Sequence, residues 1–332
     1  MTYVGISGLG AVGSQLLQRL HARNDVDRLV IYDADISSLK KFSRLPLDKI
    51  EIAPSPKIEN SEIDFLFLCT PSGQHLEYAH RAIKQGTSVI STSDRISDVL
   101  GMLGLHEIAV ENKALVVTGV GFSPGLTCVL ADFIANAFDV VDEIHIARDG
   151  TGGPACARQH HRAMKRPSLD WRDGSWVRRP GGSGRELVWF PEPVGGADCY
   201  RAALPDAALL HPLFPNASRI TARLSATRQD RFTSWLPMLT PPHNDGGVGA
   251  VRVEVRGKIK ERRETKILGA TAAPSTVSSI VAETLLDYTK SAELYGAMGT
   301  ASVVQSKNFV DEIRKKGVKI FEFDGISSLQ RF

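Results

Sequence analysis

Short apolar runs separated by amphipathic stretches dominate the first third of the chain. Tyr3 to Ser7 is apolar and short, and Val12, Leu16, Leu17 and Leu20 then recur at helical spacing. Leu29-Val30-Ile31-Tyr32 is a second apolar run, followed by "IDFLFLC" (63–69), "TSVISTS" (87–93) and "ALVVTGVGF" (114–122). Helical stretches such as "HLEYAHRAIKQG" lie between them. Strands alternating with helices predict a doubly wound parallel sheet of the Rossmann type. After residue 123 the pattern changes. "VVDEIHIARDG", "RELVWFPEPV", "SRITARLSATR", "GAVRVEVRGKIK" and "RRETKILGATA" read as strands. Val251, Val253 and Val255 alternate with Arg252, Glu254 and Arg256, which predicts one buried and one solvated face. The fold class expected is therefore α/β: a Rossmann sheet plus a second, α+β domain with a mostly antiparallel sheet. Pro274 and Ser275 signal the start of a returning helix.

The first turn carries the most specific chemistry. Gly8-Leu9-Gly10-Ala11-Val12-Gly13 sits between a strand and a helix, and Asp33 follows 20 residues after Gly13. Gly8 allows the tight turn, Gly10 lets the backbone approach a pyrophosphate, and Gly13 lets helix and strand pack closely. The helix N-terminus offers free N–H groups to phosphate. A carboxylate at Asp33 suits ribose hydroxyls and repels a 2′-phosphate, so NAD is the expected cofactor. Lys40 and Lys41 downstream keep NADP as the alternative. In such sheets ligands bind beyond the carboxyl ends of the strands. That places Cys69, Thr70, Pro71, Thr92 and Ser93, with His75 nearby, along the cofactor cleft.

Composition narrows the remaining options. The chain has 332 residues and a formal net charge of +3, enough length for two domains and too little charge to make nucleic acid a main partner. No run of about 18 apolar residues indicates a membrane span. Four dispersed cysteines and an N-terminus that opens directly on a strand fit a cytoplasmic protein. The excess charge is local: residues 158–185 carry eight basic side chains against two acidic ones.

That basic region opens with "GTGGPACARQHHRAM" (150–164). Pro154 suits the first turn of a helix. On that helix Arg158, His161, Arg162 and Lys165 share one face, and Cys156, His160 and Met164 another. Cys156 and His160 are spaced to reach one zinc ion, but a site needs further ligands and no second Cys/His pair at ligand spacing is present, so no metal is expected. Histidine suits proton transfer near neutral pH, which makes His160 or His161 the candidate acid/base. Arg158 is the candidate carboxylate clamp, with Arg162 beside it. Asp94 and Arg95, at the end of a nucleotide-domain strand, are rivals for the same two roles, and Arg223 is another candidate clamp. A helix end with surface histidines is the simplest structural alternative.

The Rossmann opening with Asp33, "CTPSGQH" (69–75), "STSD" (91–94) and "GFSPGLTCVLADF" (121–133) together resemble the saccharopine dehydrogenase-like proteins. The Gly121-x-x-Pro124-Gly125 turn is the most specific piece. Where that family places acids and a histidine around this turn, the chain has Ser123, Thr127 and Cys128, and the family's C-terminal aromatic-Pro-Glu signature is not evident. The resemblance implies NAD(P)-linked chemistry at a carbon–nitrogen bond of an amino acid or imine-derived substrate, rather than one named reaction. It also implies that C-terminal helices in 274–332 pack back on the nucleotide-binding domain (1–122). The intervening 123–273 reads as a sheet domain that closes the cofactor cleft, binds substrate and offers a dimer surface. The expected substrate is a small, anionic, amino-acid-like molecule, and the expected assembly a homodimer. A redox-neutral transferase that retains NAD, an alcohol or semialdehyde dehydrogenase, and a non-catalytic NAD-binding sensor are the alternatives.

Overall fold

The computed structural model describes residues 1–35, 47–53, 62–236, 238, 246–291 and 293–322; Lys40 and Lys41 fall outside them. The first sheet contains β1 (Tyr3–Ser7), β2 (Arg28–Tyr32), β3 (Ile50–Ile52), β4 (Phe65–Leu68), β5 (Ser88–Ser91), β6 (Leu115–Thr118) and β15 (Gly296–Gly299). Its order is β15-β6-β5-β4-β1-β2-β3, and every pairing is parallel. Both faces are covered, which explains the continuous apolar runs. Val4, Ile6, Phe67 and Val117 face a layer containing Leu16, Leu17, Val277 and Leu285. Leu66, Leu68, Val89 and Val116 face the opposite layer, with Ala79, Ile83 and Met102. The strand order reverses between β1 and β4, where doubly wound sheets open a ligand crevice.

The second sheet is mixed. It contains β7 (Val140–Asp149), β8 (Ser168–Arg172), β9 (Ser175–Arg179), β10 (Glu186–Trp189), β11 (Gly196–Arg201), β12 (Arg219–Ser225), β13 (Gly249–Ile259), β14 (Arg262–Ala272) and β16 (Lys319–Glu322). Its main path is β10-β11-β12-β7-β13-β14-β16, with β8 and β9 branching from β12. All pairings are antiparallel except β7 with β12. That pair is separated by a long excursion that returns the chain to β7 in the same direction, a long-range event that local alternation does not encode. The β8–β9 hairpin turns at Asp173-Gly174, both at positive φ (47° and 80°). Asp-Gly is the two-residue hairpin signature.

The helix Pro274–Ser291 packs against the helix Ala11–His21. Its Ser275 hydroxyl accepts from Gln15 Nε2 (3.2 Å), and Asp25 pairs with its Lys290 (2.8 Å). The C-terminal region also supplies two strands: β15 extends the first sheet beside β6, whereas β16 crosses to pair with β14. The region from 274 onward thus serves both sheets. A positive φ at Gly317 (93°) turns the chain from the helix Ser306–Lys315 into β16.

Candidate active site

The glycine turn is built as the spacing requires. A Cβ on Gly13 would lie 1.9 Å from the Gly8 carbonyl oxygen, and Gly8 itself adopts φ 94° against the backbone of Thr70. Gly10, by contrast, faces open space. Asp33 closes the arrangement: Oδ2 accepts from the Leu9 N–H (2.5 Å) and Oδ1 from the Asp35 N–H (2.7 Å). A carboxylate fixed in this way keeps lone pairs for further donors. The open approach at Gly10, the free N–H groups of the helix Ala11–His21 and the carboxylate at the end of β2 fit a dinucleotide.

The cleft continues past Ala11 and Val12 to Cys69, Thr70 and Pro71 after β4, and to Thr92, Ser93 and Asp94 after β5. These strand ends are tied together from behind. His75 is fully buried; its Nδ1 lies 2.8 Å from Ser91 Oγ and its Nε2 2.9 Å from the Thr70 carbonyl. Burial pushes the ring below the ordinary histidine range, so it is neutral, with Nε2–H donating to Thr70 and Nδ1 accepting from Ser91. His75 therefore braces the cofactor wall from within and does not face the cleft. Asp98 adds a second brace, accepting from Ser93 Oγ (2.8 Å) and the Gly73 N–H (2.7 Å).

The opposite wall belongs to the second domain: Arg148 on β7 and the first turns of the helix Pro154–Met164. Here Asp94 meets that helix. His160 Nε2 lies 3.0 Å from Asp94 Oδ2, and Cys156 Sγ lies 3.3 Å from the same His160 nitrogen and 3.5 Å from Asp94 Oδ2. Arg148 is 3 % exposed; its Nη1 donates to the Ser123 carbonyl and stands 3.6 Å from Asp94 Oδ2. The Arg148 Nε–H has no hydrogen-bond partner among the described residues. The Gly121–Gly125 turn thus holds the arginine through Ser123. Behind it lies Asp206, fully buried, whose Oδ1 accepts from Thr127 (2.7 Å) and Ser123 (3.0 Å) hydroxyls.

The charges are strongly coupled. Burial pushes Asp94 upward, but the hydrogen bond and charge of His160 and the nearby Arg148 outweigh it, and its carboxyl sits below the ordinary range. Burial and Arg148 press His160 down; the Cys156 sulfur and the hydrogen bond to Asp94 more than offset them and raise it. Burial raises Asp206 despite its hydroxyl donors and Arg148. Burial also pushes the Cys69 thiol up to about 12, which leaves that cleft cysteine protonated.

Of the residues singled out from sequence, the structure brings together Asp94, His160 and Cys156. His161 is buried too, but outside this triangle; it lines a separate cavity with Met164, Leu224 and Ala226, which His160 also borders. Arg158 and Arg162 are exposed, and Arg95 lies over Gly73 at the edge of the cleft. Arg223 is on the opposite sheet face from Arg148, paired with Glu186 (2.8 Å). The arginine that faces the cleft, Arg148, was not singled out. Its signal is present: Ile144, Ile146 and Arg148 share the inward face of β7 by strand alternation, so a charge stands where an apolar residue is expected. Asp206 left no comparable mark within "ALPDAALL".

Comparison with known proteins agrees with this architecture. Residues 3–115 match the NAD binding domain of semialdehyde dehydrogenases. A search of curated protein sequences gives no match. Among solved structures, the apo saccharopine dehydrogenase (L-Glu forming) from Saccharomyces cerevisiae superposes with a TM-score of 0.65 at 13% identity, covering 97% of this chain and 100% of that one. The C. glutamicum DAP dehydrogenase in complex with DAP gives 0.54 at 10% identity, covering 95% and 99%. A probable dehydrogenase from Thermotoga maritima gives 0.50 at 12% identity, covering 96% and 98%. No helix among the described residues is long and apolar enough to cross a membrane.

Proposed function

From its NAD(P)-binding dehydrogenase fold, we propose that the chain is an oxidoreductase acting at the carbon–nitrogen bond of a small, carboxylate-bearing amino acid or imine. One observation carries the reading: Asp94, on the nucleotide-domain wall of the crevice, meets buried Arg148 (3.6 Å) and His160 (3.0 Å), both from the second domain. The names of two structural relatives, saccharopine dehydrogenase and DAP dehydrogenase, support the substrate class. When bound, the nicotinamide accepts or supplies the hydride. NAD is the preferred form, because Asp33 stands where a 2′-phosphate would meet a fixed carboxylate.

The chain's own residues do the rest. Arg148, which lines the cleft and is held from behind by the Ser123 carbonyl, clamps the substrate carboxylate with its guanidinium charge. His160 holds the proton that the substrate nitrogen gains on reduction, or takes it on oxidation. Asp94 orients the ring and stabilises its charged form. Placing Asp94 on one domain and His160 on the other assembles this pair only when the two walls are correctly apposed. Leu187, Phe232 and Trp235, each exposed on the second domain, are candidate contacts in a homodimer, which sedimentation would detect.

A semialdehyde substrate is the second reading. The family match over residues 3–115 and the presence of Cys156 in the cleft favour it, since a thiolate there would attack an aldehyde carbon. Cys156→Ser separates the two. Aldehyde oxidation would be abolished, whereas turnover at a carbon–nitrogen bond would persist.

A further inference from the structure

Asp94, Cys156 and His160 do more than form pairs. Their three ligand atoms, Oδ2, Sγ and Nε2, are each within 3.0–3.5 Å of the other two. Asp94 and Cys156 line the cleft, and His160 stands buried directly behind them. In a tetrahedral zinc site, with Zn–S about 2.3 Å and Zn–N or Zn–O about 2.0–2.2 Å, neighbouring ligand atoms stand roughly 3.3–3.6 Å apart. The observed triangle reaches that spacing with shifts of a few tenths of an ångström.

We propose that Asp94, Cys156 and His160 form a three-ligand site for a zinc-class divalent cation, with its fourth position open to the cleft. Sequence spacing supplied two ligands on one helical face; the third comes from the other domain, 62 residues before Cys156 in the chain. The ligand set suits a borderline-soft ion: one sulfur, one imidazole nitrogen and one carboxylate oxygen. Thiolate and carboxylate together balance the ion's two positive charges, leaving the Arg148 charge available to an anionic ligand. The helix Pro154–Met164 holds Cys156 and His160 at i and i+4, so little ordering is needed on binding. Cys156 is the cysteine suited to this role. Cys69 shares the cleft but is outside the triangle, and burial keeps Cys69, Cys128 and Cys199 protonated.

A metal in this triangle occupies the lone pair that otherwise carries the His160 proton. Proton and metal therefore compete, and metal affinity rises with pH as the ligands are deprotonated. The consequence for turnover, inhibition by Zn²⁺, rests on the dehydrogenase reading; the binding itself does not.

The test uses the full-length protein without cofactor or substrate, titrated with Co²⁺. The expected result is one Co²⁺ per chain, with a near-ultraviolet thiolate-to-cobalt charge-transfer band and the visible bands of tetrahedral cobalt. Added Zn²⁺ should bleach both. Cys156→Ser should lose the charge-transfer band, and His160→Asn and Asp94→Asn should each weaken binding about tenfold or more. Cys69→Ser should keep the band. Circular dichroism of each variant checks folding, and three separate ligand variants keep the test intact if one fails to fold. Absence of the band in the wild-type protein at millimolar Co²⁺, or its survival in folded Cys156→Ser, would overturn the site. Metal binding without any dehydrogenase turnover would support the site and count only against the catalytic reading.

Discussion

His160 Nε2 and Asp94 Oδ2 lie 3.0 Å apart, one on the helix Pro154–Met164 of the second domain and the other just past the end of β5 in the nucleotide-binding sheet. On the proposed reading, the proton chemistry of the site is divided between the two domains. Its acid dependence follows from the local charges. With chelator present, His160 holds only a proton, influenced by Asp94, Cys156 and Arg148. Its pKa is raised, so reductive turnover should hold on the acid side and fall as pH climbs through that raised value. Oxidation should show the opposite limb. Asp94→Asn removes a group that raises His160, so the alkaline limb of reduction should move to lower pH. Profiles of kcat/KM against pH for both proteins measure this, and an unmoved limb would remove Asp94 from the pair.

The same pair should link stability to pH. A raised His160 contributes stability at low pH that is lost as pH rises through its folded pKa. A lowered Asp94 contributes stability at higher pH that is lost as pH falls through its own folded pKa. Denaturant midpoints should therefore peak between the two, and the acid-side loss should shrink in Asp94→Asn.

Arg148 and Arg158 separate two views of substrate binding. Loss of a charge-assisted bond costs about 1.5–3 kcal/mol, so Arg148→Lys and Arg148→Met should raise KM for carboxylate substrates roughly 10- to 100-fold. Exposed Arg158→Ala should change it by less than about twofold. Cofactor affinity, measured alongside, should be unchanged in all three. Equal effects at the two positions would return the clamp to the basic helix face.

Gly13→Ala places a Cβ 1.9 Å from the Gly8 carbonyl oxygen, so helix and strand must separate. The expected cost is about 1–3 kcal/mol of stability, with weaker dinucleotide binding. Denaturation and cofactor titration would read both. Asp33→Ser should move selectivity toward NADP by about tenfold, since it removes a fixed carboxylate from the path of a 2′-phosphate. Unchanged NAD/NADP ratios would show that Asp33 serves only to fasten Leu9.

The nucleotide-binding half was legible because its information is local. Glycine spacing, Asp33 and two-sided apolar strands each carry their own geometric reason. The helix from Pro154 and the return helix from Pro274 were legible for the same reason. The parallel β7–β12 pair and the short strands β15 and β16 were not, because each exists only through a partner far away in sequence. β15, Gly-Ala-Met-Gly, has no strand signature of its own and pairs at the open edge of β6. The site followed the same division. His160 and Asp94 could be named singly, but their contact, and the third ligand it gives Cys156, depend on how the two domains meet. Arg148 could have been found from the inward parity of β7.

The most direct measurement is nicotinamide absorbance over time, for the wild-type protein and His160→Gln. Each would receive NADH with oxo-acid and amine pairs, and NAD with amino acids. The account predicts turnover with a carboxylate-bearing carbon–nitrogen substrate, and its loss in His160→Gln with cofactor affinity retained. Full activity in that variant would contradict it. So would silence across the panels with NAD still held by the purified protein, the behaviour of a cofactor-recycling transferase or a sensor.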